Sequence, residues 1–235
     1  MELEKLEQAL GYHFNDQKLL NQALVHRSYL NEKSRNPEIT EHNERLEFLG
    51  DAVLELVVTD YLYKNVIQDE GVLTSLRASL VNYKTIGQVG NEIGLDNMVL
   101  LSKGEKEELG KARISIVADC IEAVLGAMYL DGGIEPCTEF IKQKILVLLP
   151  QIIESGSFKD AKTLMQEFCQ KHTKITPQYR VISSEGKDHQ KVFLIGVWVG
   201  SEKLSEGAGR SKQDAETEAA HKALEVLKVK FGTQV

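Results

Sequence analysis

Long apolar runs, cysteine and basic charge are all scarce in this sequence. No apolar run approaches the roughly 20 residues that span a membrane. The first residues, MELEKLEQALGYHF, are acidic and amphipathic, unlike a secretory signal or a transit peptide. Cys120, Cys137 and Cys169 have neither the spacing of a zinc site nor the even number of a disulfide framework. We therefore expect a cytoplasmic protein with reduced cysteines and no membrane partner.

The charge is divided unevenly along the chain. The formal net charge is −7, but residues 1–150 carry −9 and residues 151–235 carry +2. The acidic residues are thus concentrated in the larger N-terminal part. A polyanionic partner remains compatible with the mildly basic C-terminal part.

The spacing of apolar residues is helical from residue 2 to about residue 149, and it predicts an all-α domain. One of the predicted helical stretches covers residues 72–94. Polar or glycine-containing breaks are predicted at residues 31–40, 104–111 and 131–133.

The pattern changes after Pro150, where the short polar stretch ESGSFKD resembles a linker. A helix capped by Asp160 is predicted next, then three alternating strand-like segments. Ser211 and Asp214 have the spacing of a capping box, so the last helix should begin there. We expect a domain at residues 1–154, a linker at 155–159 and an α-β-β-β-α domain at 160–229.

Carboxylates interrupt two otherwise apolar helices. In HNERLEFLGDAVLELVV, residues 42–58, Glu44, Glu47 and Asp51 share one helix face because residues three or four apart lie about 60° or 40° from each other. Asp119 and Glu122 are the charged residues of ISIVADCIEAVLGAMYL, and they also share a face. Isolated carboxylates in such surroundings need a cation, hydrogen-bond donors or a proton.

Two interpretations of these carboxylates are open. They could form salt bridges with Arg45, Arg77 or Arg113, or simply face water. As a set, they resemble the oxygen ligands of Mg²⁺, which proteins hold through a few carboxylates. Such a site serves phosphoryl transfer, because the metal orients a nucleophilic water and neutralises phosphate charge.

The motifs themselves resemble those of a known family. HNERLEFLGDAVL and ADCIEAVLGAMYLDGG are similar to the two catalytic segments of ribonuclease III, and LVHRSYL and EGVLTSLRASLVN to two further blocks of that family. The C-terminal part resembles a double-stranded-RNA-binding domain, from DAKTLMQEFCQ through GKDHQKVF to GAGRSKQDAETEAAHKAL. The order of the two parts is that of the simple bacterial enzyme.

The resemblance implies a role for each matching residue. The nuclease domain would be an all-helical homodimer with a valley for duplex RNA. Metal binding falls on four carboxylates, of which Asp51 and Glu122 are also assigned to catalysis: Glu47, Asp51, Asp119 and Glu122. Glu44 falls on an acidic position implicated in substrate contact, and Glu70 on a subsidiary acidic position. Phe48 falls on the dimer interface, although an ordinary core aromatic would fit the sequence nearly as well.

The resemblance also implies the reaction. We expect Mg²⁺-dependent hydrolysis of double-stranded RNA, with Mn²⁺ as a substitute, leaving 5′-phosphate and 3′-hydroxyl ends and a short 3′ overhang. A two-fold dimer could present one equivalent centre to each strand of the duplex. Precursors of ribosomal RNA and structured messenger RNAs are the expected substrates, and we expect no productive binding without divalent metal.

Three regions of the C-terminal domain match RNA contacts of the family. They comprise the first helix, the GKDHQ loop and the start of the last helix: Thr163, Gln166, Glu167, His189, Arg210, Ser211 and Lys212. Two positions depart from the family pattern, because Gln213 replaces a lysine and Lys187 replaces a proline. Losing one phosphate contact should weaken RNA binding and its dependence on salt.

Two competing functions are weighed against the nuclease. A non-catalytic RNA-binding dimer could retain the fold after losing its chemistry, but the four intact carboxylates argue against it. An unrelated helical phosphohydrolase fused to a basic module would hydrolyse a small phosphoester and leave duplex RNA intact.

Overall fold

A computed structural model describes residues 2–32, 36–107, 110–156, 158–186 and 191–231. The chain divides into two compact units, residues 1–154 and residues 155–235. Within the described ranges, no helix is both long enough and apolar enough to span a membrane.

The first unit is helical, as predicted. Short 3₁₀ turns at Arg27–Asn31, Leu95–Asn97 and Leu146–Leu148 separate some of its helices. The helices are α1 (Glu2–Leu10), α2 (Gln17–Ala23), α3 (Glu44–Asn65), α4 (Glu70–Val81), α5 (Tyr83–Glu92), α6 (Lys103–Glu107), α7 (Lys111–Gly132), α8 (Ile134–Lys144) and α9 (Leu149–Ser155), the last of which reaches the boundary of the unit.

The core of this unit lies around α7, which packs against α2, α3, α5 and α8. Eleven residues of α7 are buried, including Cys120, Val124 and Met128. Helix α7 ends at Gly132 and is followed by the capping residue Gly133, whose φ of 81° is readily available to glycine. The predicted break at residues 131–133 therefore has a physical basis in the backbone.

Two predictions for this unit are wrong in detail. The stretch 72–94 forms two helices, because extended backbone at Asn82 ends α4 and the Asn82 side chain accepts hydrogen bonds from the amides of Lys84 and Thr85. The stretch 104–111 is not simply a break, because α6 covers Lys103–Glu107. Apolar periodicity cannot detect the first boundary, since both helices bury a continuous series of apolar residues.

The second unit has the predicted α-β-β-β-α order. It comprises α10 (Ala161–His172), β1 (Gln178–Glu185), β2 (Val192–Val199), β3 (Glu202–Gly209) and α11 (Lys212–Phe231). The strands form an antiparallel sheet in the order β1-β2-β3. A core of Met165, Cys169, Val197, Ala219 and Leu227 joins both helices to the sheet.

Both predicted caps of the second unit are present. The Asp160 carboxylate accepts hydrogen bonds from the amides of Lys162 and Thr163 at the start of α10. Before α11, the Ser211 amide donates to the Asp214 carboxylate at 3.2 Å, while the Asp214 amide donates to Ser211 Oγ at 3.0 Å. These bonds satisfy amides that lack partners within the helix.

Candidate metal and RNA site

Helices α3 and α7 cross in backbone contact beside the predicted metal ligands. An ideal Cβ on Gly50 would overlap the backbone carbonyl of Glu122, and one on Gly126 would overlap that of Leu46. Gly50 lies between Glu47 and Asp51 on α3. The two glycines therefore let the carboxylate-bearing segments of the two helices approach each other closely. A glycine inside a helix is the sequence signal for such an approach.

Three carboxylates converge at this crossing. One oxygen each from Glu47, Asp119 and Glu122 lies within 4.8 Å of the others. Opposite ligands of an octahedral Mg²⁺ lie about 4.2 Å apart, since each is about 2.1 Å from the ion. The spacing of the three oxygens is therefore close to that of ligands around one ion.

Asp51 lies beside this group and is exposed. It is not among the three residues whose oxygens meet within 4.8 Å. Its charge nevertheless contributes to raising the pKa of both Glu47 and Glu122. The structure therefore places three of the four predicted ligands together, with the fourth near them.

The electrostatics of the site favour a cation. Burial, followed by the charges of neighbouring carboxylates, raises the pKa of Glu47 to about 7 and that of Glu122 to about 8. Burial also raises the pKa of Asp119. Within the described parts of the chain, no salt bridge or hydrogen bond neutralises these three carboxylates. A divalent cation would supply the missing positive charge.

The arginines considered as alternative partners are engaged elsewhere or exposed. Arg77 donates to Thr59 Oγ1 at 3.0 Å and lies 3.9 Å from Glu55. Arg113 binds Asp96 through its side chain, and Arg45 is exposed. The salt-bridge interpretation of the carboxylate set therefore does not hold for these arginines.

The other acidic positions have different surroundings. Glu44 lies on the exposed side of α3, 3.2 Å from Arg27 and 3.8 Å from His42. Glu70 begins α4, is exposed and accepts a hydrogen bond from Thr74 Oγ1 at 3.3 Å. Glu70 is not part of the three-carboxylate group. Sequence reasoning missed the partner of Glu44, because Arg27 is 17 positions away in another segment.

Phe48 is a surface residue in this chain. Its side chain is 80% exposed, and Leu56, Tyr63 and Leu130 are also exposed. A concave surface of about 630 Å³ lies beside it and includes Leu19, Leu46, Leu49 and Leu130 in its lining. An ordinary core position for Phe48 is therefore excluded within this chain.

Four of the predicted RNA-binding residues lie on the two helices of the second unit. Thr163 and Gln166 of α10 line one groove of about 640 Å³ together with Lys212 of α11. Glu167 lies in an adjacent groove and accepts the Lys159 ammonium at 2.6 Å. Hydroxyl, amide and ammonium groups thus face a common concave surface.

Two further predicted RNA contacts lie between β3 and α11. Arg210 and Ser211 are exposed immediately before α11, where the positive end of the helix dipole favours anions. His189 lies outside the described residues, as does Lys187. Gln213, the departure from the family pattern, lines the same groove as Lys212.

The geometry defines a helical unit with a carboxylate cluster that could hold a metal ion, followed by an α-β-β-β-α unit. Comparison with known families agrees, because residues 16–149 match a family described as ribonuclease-III-like and residues 161–227 match the double-stranded RNA binding motif. The chain belongs to the ribonuclease III family, the endoribonucleases of double-stranded RNA.

Individual relatives support this membership over nearly the whole chain. Ribonuclease 3 of Nitratiruptor sp. is 42% identical over 230 residues, covering 97% of this chain and 98% of the relative. Ribonuclease 3 of Carboxydothermus hydrogenoformans is 44% identical over 228 residues, covering 96% of each chain. Among solved structures, the nuclease domain of Campylobacter jejuni ribonuclease III matches with a TM-score of 0.55 and 43% identity. The match covers 63% of this chain and 99% of that one, and that structure is described as showing flexibility in a region involved in dimer formation.

Proposed function

We propose that this chain hydrolyses phosphodiester bonds of double-stranded RNA with Mg²⁺, which Mn²⁺ replaces. The observation that carries the proposal is the convergence of Glu47, Asp119 and Glu122 within 4.8 Å, without a salt bridge to any of them among the described residues. The charge of Arg27 lowers the pKa of Glu47, but burial and the neighbouring carboxylates outweigh it. Hard oxygen ligands in this number suit Mg²⁺. We infer that Asp51 completes the metal-binding set when substrate is present.

The chain's own residues have separable roles in this proposal. When bound, the metal supplies a polarised water and neutralises charge on the phosphate. Glu47, Asp119, Glu122 and Asp51 would hold the cation, and Asp51 and Glu122 are also the proposed catalytic carboxylates. The close crossing of α3 and α7 keeps these carboxylates together at low conformational cost. Glu44 and Glu70 contact substrate or support the site from its periphery.

We infer that the active form is a homodimer that includes Phe48 in its interface. The exposed apolar side chains of Phe48, Leu56 and Leu130 support this proposal, because isolated proteins rarely expose such a group without a partner. A two-fold dimer would present one centre to each strand of a duplex. Each strand would be cut once, leaving 5′-phosphate and 3′-hydroxyl ends with a short 3′ overhang.

The proposed RNA surface of residues 160–229 comprises Thr163, Gln166, Glu167, His189, Arg210, Ser211 and Lys212. A-form RNA is recognised by shape through its 2′-hydroxyl and phosphate groups, which suits this mixture of polar and basic side chains. Residues 155–159 serve as the linker to the catalytic domain, residues 1–154. Cytoplasmic processing of ribosomal RNA precursors and structured messenger RNAs is the proposed role.

Cleavage of a labelled duplex RNA tests the activity. Wild type and Glu122→Gln are compared on the duplex and on its single strand, with Mg²⁺, with Ca²⁺ and with EDTA. We expect wild type to cut only the duplex and only with Mg²⁺, while the variant binds the duplex without cutting it. Binding without cutting by wild type would instead indicate a non-catalytic RNA-binding dimer.

A further inference from the structure

A buried asparagine lies one helical turn before the first metal ligand. The Asn43 side chain is 2% exposed, and among the side chains that the structure describes only Glu7 is a second buried polar or charged group. The backbone carbonyl of Asn43 accepts a hydrogen bond from the backbone amide of Glu47 at 2.9 Å. Burial of an amide is costly unless hydrogen bonds compensate it, so this position requires a specific partner.

That partner is the backbone carbonyl of Ala23, the last residue of α2. Asn43 Nδ2 donates to it at 3.2 Å, and Cys120 Sγ on α7 lies 3.4 Å from the same oxygen. Asn43 immediately precedes α3, and Cys120 follows Asp119. One carbonyl thus contacts the beginning of the Glu47 helix and the segment of α7 that carries the other ligands.

The backbone reinforces this connection. The Asn43 amide donates to the Val25 carbonyl at 2.9 Å, and Gln22 Nε2 donates to the His42 carbonyl at 3.2 Å. The end of α2 therefore holds the beginning of α3 through three hydrogen bonds, counting that of the Asn43 side chain. Of these three bonds, the one from the Asn43 side chain shares its acceptor with Cys120 Sγ of α7.

We propose that Asn43 is a positioning residue that sets the distance of Glu47 from Asp119 and Glu122 through the Ala23 carbonyl. The inference rests on the proposed metal site. Groups that orient metal ligands without touching the metal commonly change metal affinity 10- to 100-fold when removed. Loss of the Asn43 side-chain amide should therefore weaken metal binding by about 10-fold, the lower end of this range.

Titration of the RNA-free full-length chain with Mn²⁺ tests the proposal. Asn43→Ala removes the donor, and Asn43→Leu removes it while filling a similar volume, which protects against failure to fold. Asn82→Ala is the matched control, because Asn82 caps α5 in the same unit through the amides of Lys84 and Thr85. Both Asn43 variants should bind Mn²⁺ about 10-fold more weakly, and the control should bind it like wild type.

The metal dependence of duplex cleavage provides the second measurement. Positioning predicts a higher Mg²⁺ concentration at half-maximal rate with a nearly unchanged maximal rate. A merely structural role of Asn43 would lower the maximal rate or the melting temperature without changing the Mg²⁺ concentration at half-maximal rate. Asn82→Ala is expected to behave in this way. Unchanged Mn²⁺ affinity in both Asn43 variants, with a wild type that binds and cuts, would overturn this inference alone. A wild type that neither binds Mn²⁺ nor cuts duplex would overturn the proposed function as well.

Discussion

Replacing Glu122 with glutamine should stabilise the metal-free protein at alkaline pH. Glu122 has a pKa raised from 4.5 to about 8, first by burial and then by the charges of Asp51, Asp119 and Glu47. A folded-state pKa above the unfolded value means that folding favours the protonated form. The contribution of Glu122 to the free energy of unfolding is therefore fully present below about pH 4.5, and it is lost as the pH rises through about 8. Glutamine does not ionise, so the variant escapes this loss.

The size of the effect follows from the same pKa. A change from 4.5 to about 8 corresponds to about 5 kcal/mol, at about 1.4 kcal/mol for each pKa unit. Glu122 is only partly buried, and screening by solvent reduces the expected gain to about 1–2 kcal/mol. For a domain of this size, each kcal/mol raises the melting temperature by about 2–4 °C.

Thermal unfolding in EDTA at pH 5.5 and pH 8.5 measures the effect. Glu122→Gln should melt about 2–8 °C above wild type at pH 8.5 and close to it at pH 5.5. Glu139→Gln is the control, because Glu139 is exposed on α8 and accepts a bond from Gln143. Mg²⁺ should then raise the wild-type melting temperature more than that of the variant. If the melting temperatures of wild type and Glu122→Gln change with pH in parallel, the electrostatic argument is refuted.

Three further predictions concern the crossing, the dimer and RNA binding. Gly50→Ala should lower the free energy of unfolding, measured by chemical denaturation, by more than about 3 kcal/mol, because the added Cβ would overlap the Glu122 carbonyl. The control Gly71→Ala on α4 should be neutral or stabilising. Phe48→Ala should weaken the dimer by about 2–4 kcal/mol in sedimentation without lowering the melting temperature of the monomer, because the side chain is exposed. Lys212→Gln should reduce the slope of log affinity against log salt by about 1 in duplex-binding titrations, and an unchanged slope would exclude a phosphate contact.

The sequence predicts the helices and the caps because both depend on local chemistry. Apolar spacing indicates α3 and α7, and the Ser211 and Asp214 spacing predicts the start of α11. The split at Asn82 is local too, but a helix-ending asparagine that also caps the next helix is hidden inside continuous apolar periodicity. Boundaries of this kind are visible only when the side-chain hydrogen bonds are known.

The site is less predictable because it depends on contacts between distant segments. Helical spacing places Glu47 near Asp51 and Asp119 near Glu122, but it does not state how the two helices cross. The meeting of Glu47 with Asp119 and Glu122 depends on the Gly50 crossing and on the end of α2. The family resemblance predicts that these carboxylates meet. The salt bridge of Glu44 with Arg27 is visible only in the three-dimensional structure.

The close crossing also explains why metal and fold should be coupled in this protein. The contact at Gly50 holds three carboxylates together. Burial, followed by repulsion from the neighbouring carboxylates, raises the pKa of Glu47 and of Glu122. Helices that could separate would relieve this repulsion without a cation. Because the glycine contact and the Asn43 bond oppose separation, the site can relieve it only by taking up protons or a cation. Proton release on metal binding should therefore be larger at pH 6 than at pH 9, and calorimetry in buffers of different ionisation enthalpy measures that difference.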